Sequence, residues 1–233
     1  MDLQLVLLLG LAFLAGVIDA VVGGGGLVQI PALFGYLPQA APATIFGTNK
    51  LASIAGTTVA AARYARSVAV PWATALPAAL SAFVFSFLGA RAVALIPSDV
   101  LRPLVFVLLV AMAVFTFLRK DFGTVHDPRH EGWAERVYAV LLGAAIGFSD
   151  GFFGPGTGTF LVFLFVRFFG FDFLGASAAA KVVNVATNGA ALVYFVPSDN
   201  VLYALGVPMA LCNIAGSVIG ARVAIRRGSG FQH

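Results

Sequence analysis

Apolar positions along this chain come in long blocks rather than in alternation. In the first half they run over about 3–22, 27–37, 43–63, 70–95 and 100–118. In the second half they run over about 136–153, 158–171, 174–196 and 200–225. Most blocks approach the roughly 20 residues a helix needs to cross a hydrocarbon core about 30 Å thick. Sustained blocks of this kind predict helices, not half-buried strands. One clearly polar stretch, Arg119 to Arg136, separates the halves and holds His126, Asp127, Arg129, His130, Glu131 and Glu135. It predicts a surface linker over 119–135 between membrane repeats over 1–118 and 136–233.

Two blocks break the pattern. The 27–37 run is 11 residues, about 16 Å of helix, and is too short to span alone. It follows Gly23-Gly24-Gly25-Gly26, and its counterpart follows Gly154-Pro155-Gly156-Thr157-Gly158. Backbone freed from a helix inside a membrane must be buried in protein or line a wet cavity. The short helix that follows starts with unpaired N–H groups and the positive end of its dipole, which favours an anion. Gly24, Gly25, Gly26, Gly156, Thr157 and Gly158 are therefore candidate substrate-binding positions. The alternative is that the glycines only allow helices to pack closely. Neither cluster leads into Gly-Lys-Ser/Thr, so neither is a nucleotide loop.

The two halves also repeat each other at a fixed offset of 131 residues. Gly16, Asp19, Gly23 and Gly25 recur as Gly147, Asp150, Gly154 and Gly156; Lys50 recurs as Lys181, Pro77 as Pro208, and Gly89-Ala90-Arg91 as Gly220-Ala221-Arg222. Internal repeats in a very apolar chain are the mark of secondary transporters, with substrate bound between the repeats. Five segments per repeat is an odd number, so consecutive repeats enter from opposite faces, which predicts inverted topology. At this offset Val100, which opens the fifth segment, maps onto Phe231, so the second copy of that segment is missing. Either the tenth segment is absent by nature or the chain is truncated.

Composition narrows the class further. Hydrophobic residues make up 60% and charged residues 10%, where a soluble domain carries about 25% charged residues. The expected fold is an all-α polytopic membrane protein in a lipid bilayer. A formal charge of +4 does not signal nucleic acid, because the basic residues flank apolar runs singly or in pairs. With the N-terminus outside and every segment crossing, Arg63, Arg66, Arg119, Lys120, Arg129, Arg136, Arg167, Arg222, Arg226 and Arg227 face the cytoplasm, and only Arg91 and Arg102 face out. That asymmetry sets the orientation. The N-terminus reads as the first span, having no basic region of a signal peptide. Cys212 is the single cysteine, so no intrachain disulfide forms. His126 and His130 have no accompanying cysteine, and no metal or cofactor is implied.

Charge inside the apolar blocks is the strongest chemical signal. Lys50 and Lys181 lie well into their spans, beside Thr48, Asn49 and Ser53 in one half and Asn184, Thr187 and Asn188 in the other. Intramembrane charge is costly and points to function. Lys50, Asn49, Lys181 and Asn184 are candidates to bind an anionic substrate; snorkelling or a structural ion pair is the alternative. Asp19 and Asp150 precede the glycine breaks, where a helix C-terminus disfavours a carboxylate. Each needs a cation or a proton. They are candidates for proton coupling or for a structural Asp–Lys pair.

The run Gly16-Val17-Ile18-Asp19-Ala20-Val21-Val22-Gly23-Gly24-Gly25-Gly26, followed by Gly47-Thr48-Asn49-Lys50, resembles the TauE/SafE sulfite exporter family, also called toluene-sulfonate uptake permeases. The likeness extends through the degenerate second copy, Gly147 to Gly158 and Lys181. It implies a multi-pass transporter in a bacterial-type inner membrane that moves sulfite, organosulfonates or related anions; the reading of Asp19 and Asp150 adds the expectation of coupling to the proton motive force. The departure from the family is the missing final segment. Two other classes stay open: a membrane subunit that transports nothing, and an intramembrane enzyme, against which no Ser/His or His/Glu/His constellation lies in the spans. A homo-oligomer is also left open.

Overall fold

The computed structural model describes residues 3–118, 127, 129 and 132–229. Among them every regular element is helical. In the first half α1 is Leu3–Val22, α2 Gly26–Tyr36, α3 Pro42–Ser67, α4 Trp72–Ala94 and α5 Ser98–Leu118. In the second half α6 is Gly132–Phe152, α7 Thr157–Leu164, α8 Phe173–Phe195 and α9 Tyr203–Ser229. A π-helical turn, Phe165–Phe169, extends α7 until Gly170 stops it at φ 74°. Helix starts follow local chemistry. Pro42 occupies the first turn of α3, where its missing N–H costs nothing. Asp172 caps α8, its side chain accepting the Gly175 N–H at 2.7 Å.

The offset of the sequence repeat reappears in the helix starts. α2 and α7 begin at 26 and 157, α3 and α8 at 42 and 173, and α4 and α9 at 72 and 203, each 131 apart. α6 starts at Gly132, so Glu135 lies in its first turn, accepting a hydrogen bond from the Thr74 hydroxyl. This is slightly before the end expected for the linker. Asp127 and Arg129 are fastened to the end of the π-turn, their N–H groups donating to Gly170 O and Phe169 O at 2.8 and 3.1 Å. His126 and His130 lie outside the described residues.

Among the described residues, four helices are long and apolar enough to cross a membrane by length and composition: Leu3–Val22, Trp72–Ala94, Ser98–Thr116 and Tyr203–Gly228. α3 and α8 are long but less apolar, because their middles carry Thr48, Asn49 and Lys50, or Lys181, Asn184 and Thr187, all buried. They sit inside the bundle. The helices that pack on them are α9 and α4.

Packing between the halves is reciprocal. α1 lies along α9 and α4 along α6. Gly16 abuts Asn213 and Val17 abuts Gly220; 131 residues on, Gly147 abuts Ala82 and Phe148 abuts Gly89. Each pair is a swap of the other, as in an isologous contact. Phe13 meets Gly216 and Val17 meets Gly220, so α1 and α9 run parallel. By contrast α3 and α8 run antiparallel. Gly47 meets Phe195, Ile54 meets Gly189, and Tyr64 shares a buried cluster with Ala178.

Small residues make these contacts. A Cβ at Gly16, Gly147, Gly143 or Gly151 would collide with a backbone carbonyl of the facing helix. With lipid outside, such close approach holds membrane helices together. We therefore expect Gly147→Leu to destabilise the protein by at least the ~1–3 kcal/mol typical of overpacking. Gly35→Ala, at a site with nothing within 4 Å of a Cβ, should leave the thermal midpoint in detergent unchanged.

Candidate functional site

α1 and α6 both end at a glycine with positive φ, Gly23 at 84° and Gly154 at 87°. L side chains avoid this conformation, and it turns the chain into the short helix that follows. The two breaks meet in the middle of the protein. A Cβ on Gly23 would strike the Gly158 backbone, and one on Gly158 would strike Gly23 O. Thr159 ties the crossing together, its hydroxyl donating to Val22 O at 2.8 Å. Thr157 donates back to Gly154 O at 2.9 Å and so closes its own turn.

The glycine candidates therefore divide. Gly158 is held by the crossing, and Gly25 lies under α1, 2.5 Å from Ala15 O to its Cβ position. Close packing accounts for both. Gly156 takes φ 80° at the start of α7. Gly24 and Gly26 are less confined, their nearest neighbours being Thr159 Oγ1 at 3.3 Å and Pro155 Cα at 3.1 Å.

The structure brings each lysine to the aspartate of the opposite half. Lys50 Nζ lies 2.6 Å from Asp150 Oδ2, with both side chains almost fully buried. Lys181 Nζ lies 3.3 Å from Asp19 Oδ2 and also donates to the Asp19 carbonyl. The Thr57 hydroxyl donates to the same Asp19 Oδ2 at 3.1 Å. The two pairs are related by the 131-residue offset. They also explain how a carboxylate is tolerated at a helix C-terminus. A buried lysine supplies the opposite charge, and Lys181 additionally donates to the Asp19 carbonyl, which also accepts the Gly23 N–H at 2.8 Å.

Lys50 also lies beneath the second break, its Nζ 3.2 Å from the Cβ position of Gly154. Asn184 approaches the crossing from α8, its Nδ2 2.8 Å from the Cβ position of Gly158. Asn49 and Asn184 are both buried, and the Oδ1 of each has no hydrogen-bond partner among the described residues. Thr48 has a structural task instead, donating to Thr44 O and accepting the Leu202 N–H at 3.0 Å.

Sequence reasoning passed over Gln29. It is fully buried in α2, accepts from Asn213 Nδ2 at 3.0 Å, and its own Nε2 has no acceptor among the described residues. The available signal was a lone amide in an otherwise apolar 11-residue helix. Thr57 and Asn213 were missed too; their counterparts at the 131-residue offset are Asn188 and Ala82, so neither recurs as the same type. Among the described residues, no group of three or more His, Cys, Asp or Glu could hold a metal ion.

Chemically, the centre holds two buried cations, one buried anion at Asp150, one partly buried anion at Asp19 and several amide groups with unused hydrogen-bonding capacity. An unpaired charge there would be costly, so each lysine requires an anion and each aspartate a cation or a proton.

A family model described as "Sulfite exporter TauE/SafE" matches residues 8–231. The chain is 37% identical over 218 residues to the "Probable membrane transporter protein ORF9" of Sinorhizobium sp, covering 94% of this chain and 82% of that protein. It is 33% identical over 226 residues to the "Probable membrane transporter protein YfcA" of Escherichia coli strain K12, covering 95% and 82%. A "Probable membrane transporter protein" of Haemophilus influenzae is 31% identical over 224 residues, covering 96% and 86%. No solved structure matches the chain.

Proposed function

Because this chain belongs to the TauE/SafE family of membrane transporters, we propose that it is a proton-coupled secondary transporter of small sulfur-containing anions, sulfite or organosulfonates. The observation that carries this reading is the reciprocal pairing of Lys50 with Asp150 and Lys181 with Asp19 across the two halves. A fixed pair of this kind adds little net stability over an apolar core. It is well suited to exchange. An incoming anion takes the lysine, and the displaced aspartate takes a proton. The pair begins neutral, gains one negative and one positive charge, and ends neutral. Neither charge is left buried alone.

The halves act as two inverted repeats, 1–118 and 136–233, joined by the 119–135 linker. Three observations support this: the shared offset of helix starts, the swapped contacts, and the antiparallel crossing of α3 and α8. Rocking one repeat on the other would open the crossing of the glycine breaks to either side. The Nδ2 groups of Asn49 and Asn184 would donate to the anion, and the lysines would supply its counter-charge. The start of α2 is not free to do so, because Leu27, Val28 and Gln29 already donate to Gly24 O and Gly25 O. In a bacterial inner membrane, with the N-terminus outside, the arginine-rich ends face the cytoplasm.

The test is uptake of radiolabelled sulfite and of an arylsulfonate into liposomes holding the purified chain. Accumulation driven by an imposed pH gradient is expected, and abolished by a protonophore. Liposomes that take up no more than protein-free ones would favour a membrane subunit that transports nothing.

A further inference from the structure

Four arginines gather where α3 and α9 end. Arg63 and Arg66 of α3 and Arg222 and Arg226 of α9 line one open pocket of about 500 Å³, together with Val59, Ala62, Ser67 and Ile225. None of these lining residues is acidic. The walls are therefore part guanidinium and part aliphatic, at the level where two membrane helices reach the surface.

The repeat shows that the fold does not require this cluster. Removing 131 from Arg222 gives Arg91, and from Arg226 gives Leu95; adding 131 to Arg63 gives Tyr194, and to Arg66 gives Pro197. The equivalent place at the other end of the protein thus keeps one arginine out of four. A bias of basic residues to one face orients a membrane protein. It does not require four of them, from two helices, to converge on one concavity.

The pocket does not lead to the lysine–aspartate centre. Its lining comes from α3 and α9 alone, whereas Asp19 and Lys181 stand on α1 and α8. Next to Asp19 and to Arg222 in the chain, Ala20 and Ala221 belong to one buried cluster with Ala60, Tyr64, Ala178 and Ala224. Tyr64 ties α3 to α1 within it, its hydroxyl donating to Ala20 O at 3.0 Å. The pocket is an open groove at the ends of α3 and α9.

We propose that this groove binds the phosphate headgroup of an anionic phospholipid, with Arg63, Arg66 and Arg222 on the phosphate and Val59, Ala62 and Ile225 against the upper acyl chain. Guanidinium groups bind phosphate through paired N–H donors. A phospholipid already presents its phosphate at this depth, next to an apolar chain. The site is independent of the transported anion and of the reading of the lysines.

Native mass spectrometry of the full chain in detergent, with phosphatidylglycerol and phosphatidylcholine added in parallel, tests this. Phosphatidylglycerol should bind more tightly. Each basic residue at a membrane surface is worth about fivefold in affinity for anionic lipid. Arg63→Gln with Arg222→Gln should therefore lose about 25-fold in phosphatidylglycerol affinity and leave phosphatidylcholine binding unchanged. The exposed Arg66→Gln, which disturbs no packing, should lose about fivefold and covers the case in which the double variant does not fold. Arg91→Gln should lose nothing. Equal affinity for the two lipids, an equal loss in Arg91→Gln, or unchanged binding in Arg66→Gln and the double variant would overturn the proposal. So would full displacement of the lipid by millimolar inorganic phosphate, which would mark a site for free anions.

Discussion

Lys50→Met alone should lower the stability of the protein in detergent by about 3–5 kcal/mol, because it leaves Asp150 buried without its cation. Asp150→Leu should cost a similar amount for the converse reason. The double variant Lys50→Met/Asp150→Leu should recover most of the loss, since two apolar side chains replace a pair whose desolvation offsets its attraction. Denaturant or thermal melts of the four proteins form a double-mutant cycle. The pair is buried on both sides at 2.6 Å, so strong coupling is expected. The cycle at Lys181 and Asp19 should give a smaller coupling, since Asp19 is more exposed, its Oδ2 is shared with Thr57, and its distance is 3.3 Å. The apolar double variant at either site should be folded and should transport no anion. Transport that survives in both double variants would return the pairs to a purely structural role.

The second large effect concerns the aspartate alone. Asp150→Asn keeps the shape of the side chain and removes its charge, so Lys50 is left seeking an anion. The variant should melt lower than the wild type in anion-free buffer. A sulfonate at 100 times its dissociation constant should restore about 2.7 kcal/mol. The wild type should respond less, because there the anion must first displace a carboxylate that then needs a proton. In liposomes the variant should still carry sulfonate, now driven by membrane potential, and should no longer accumulate it on a pH gradient. A melt that no sulfonate restores would show that Lys50 does not receive the substrate.

Most of the architecture was legible in the chain because glycine, proline and charge are scarce inside a membrane and therefore informative. The 131-residue offset read from Lys50, Pro77 and Gly89 is the offset of the helix starts. The short second segment and its counterpart are the short helices α2 and α7, and the glycine clusters before them are the breaks. What the chain could not reveal is which half each charged side chain meets. An Asp–Lys pair is already one of the alternatives for Lys50, Lys181, Asp19 and Asp150, but nothing in the chain says which lysine meets which aspartate. Only the crossing of the breaks brings each lysine to the other half's aspartate. Glycine was ambiguous for the same reason. Gly158 and Gly25 look alike whether they expose backbone to a ligand or admit another backbone, and here Gly158 admits Gly23 while Gly25 admits α1. Gln29 went unread because a single amide carries no periodicity.

The exchange of an aspartate for an anion on a buried lysine is tested most directly by counting protons. An alkylsulfonate is a strong acid and stays ionised throughout the working pH range, so it carries no proton of its own. Proteoliposomes containing a pH-sensitive dye and fed labelled methanesulfonate report both fluxes together. The account predicts proton entry with every sulfonate, in a fixed ratio, and electroneutral uptake that membrane potential alone does not drive. Sulfonate entry with no accompanying proton, driven by potential and indifferent to the pH gradient, would contradict it.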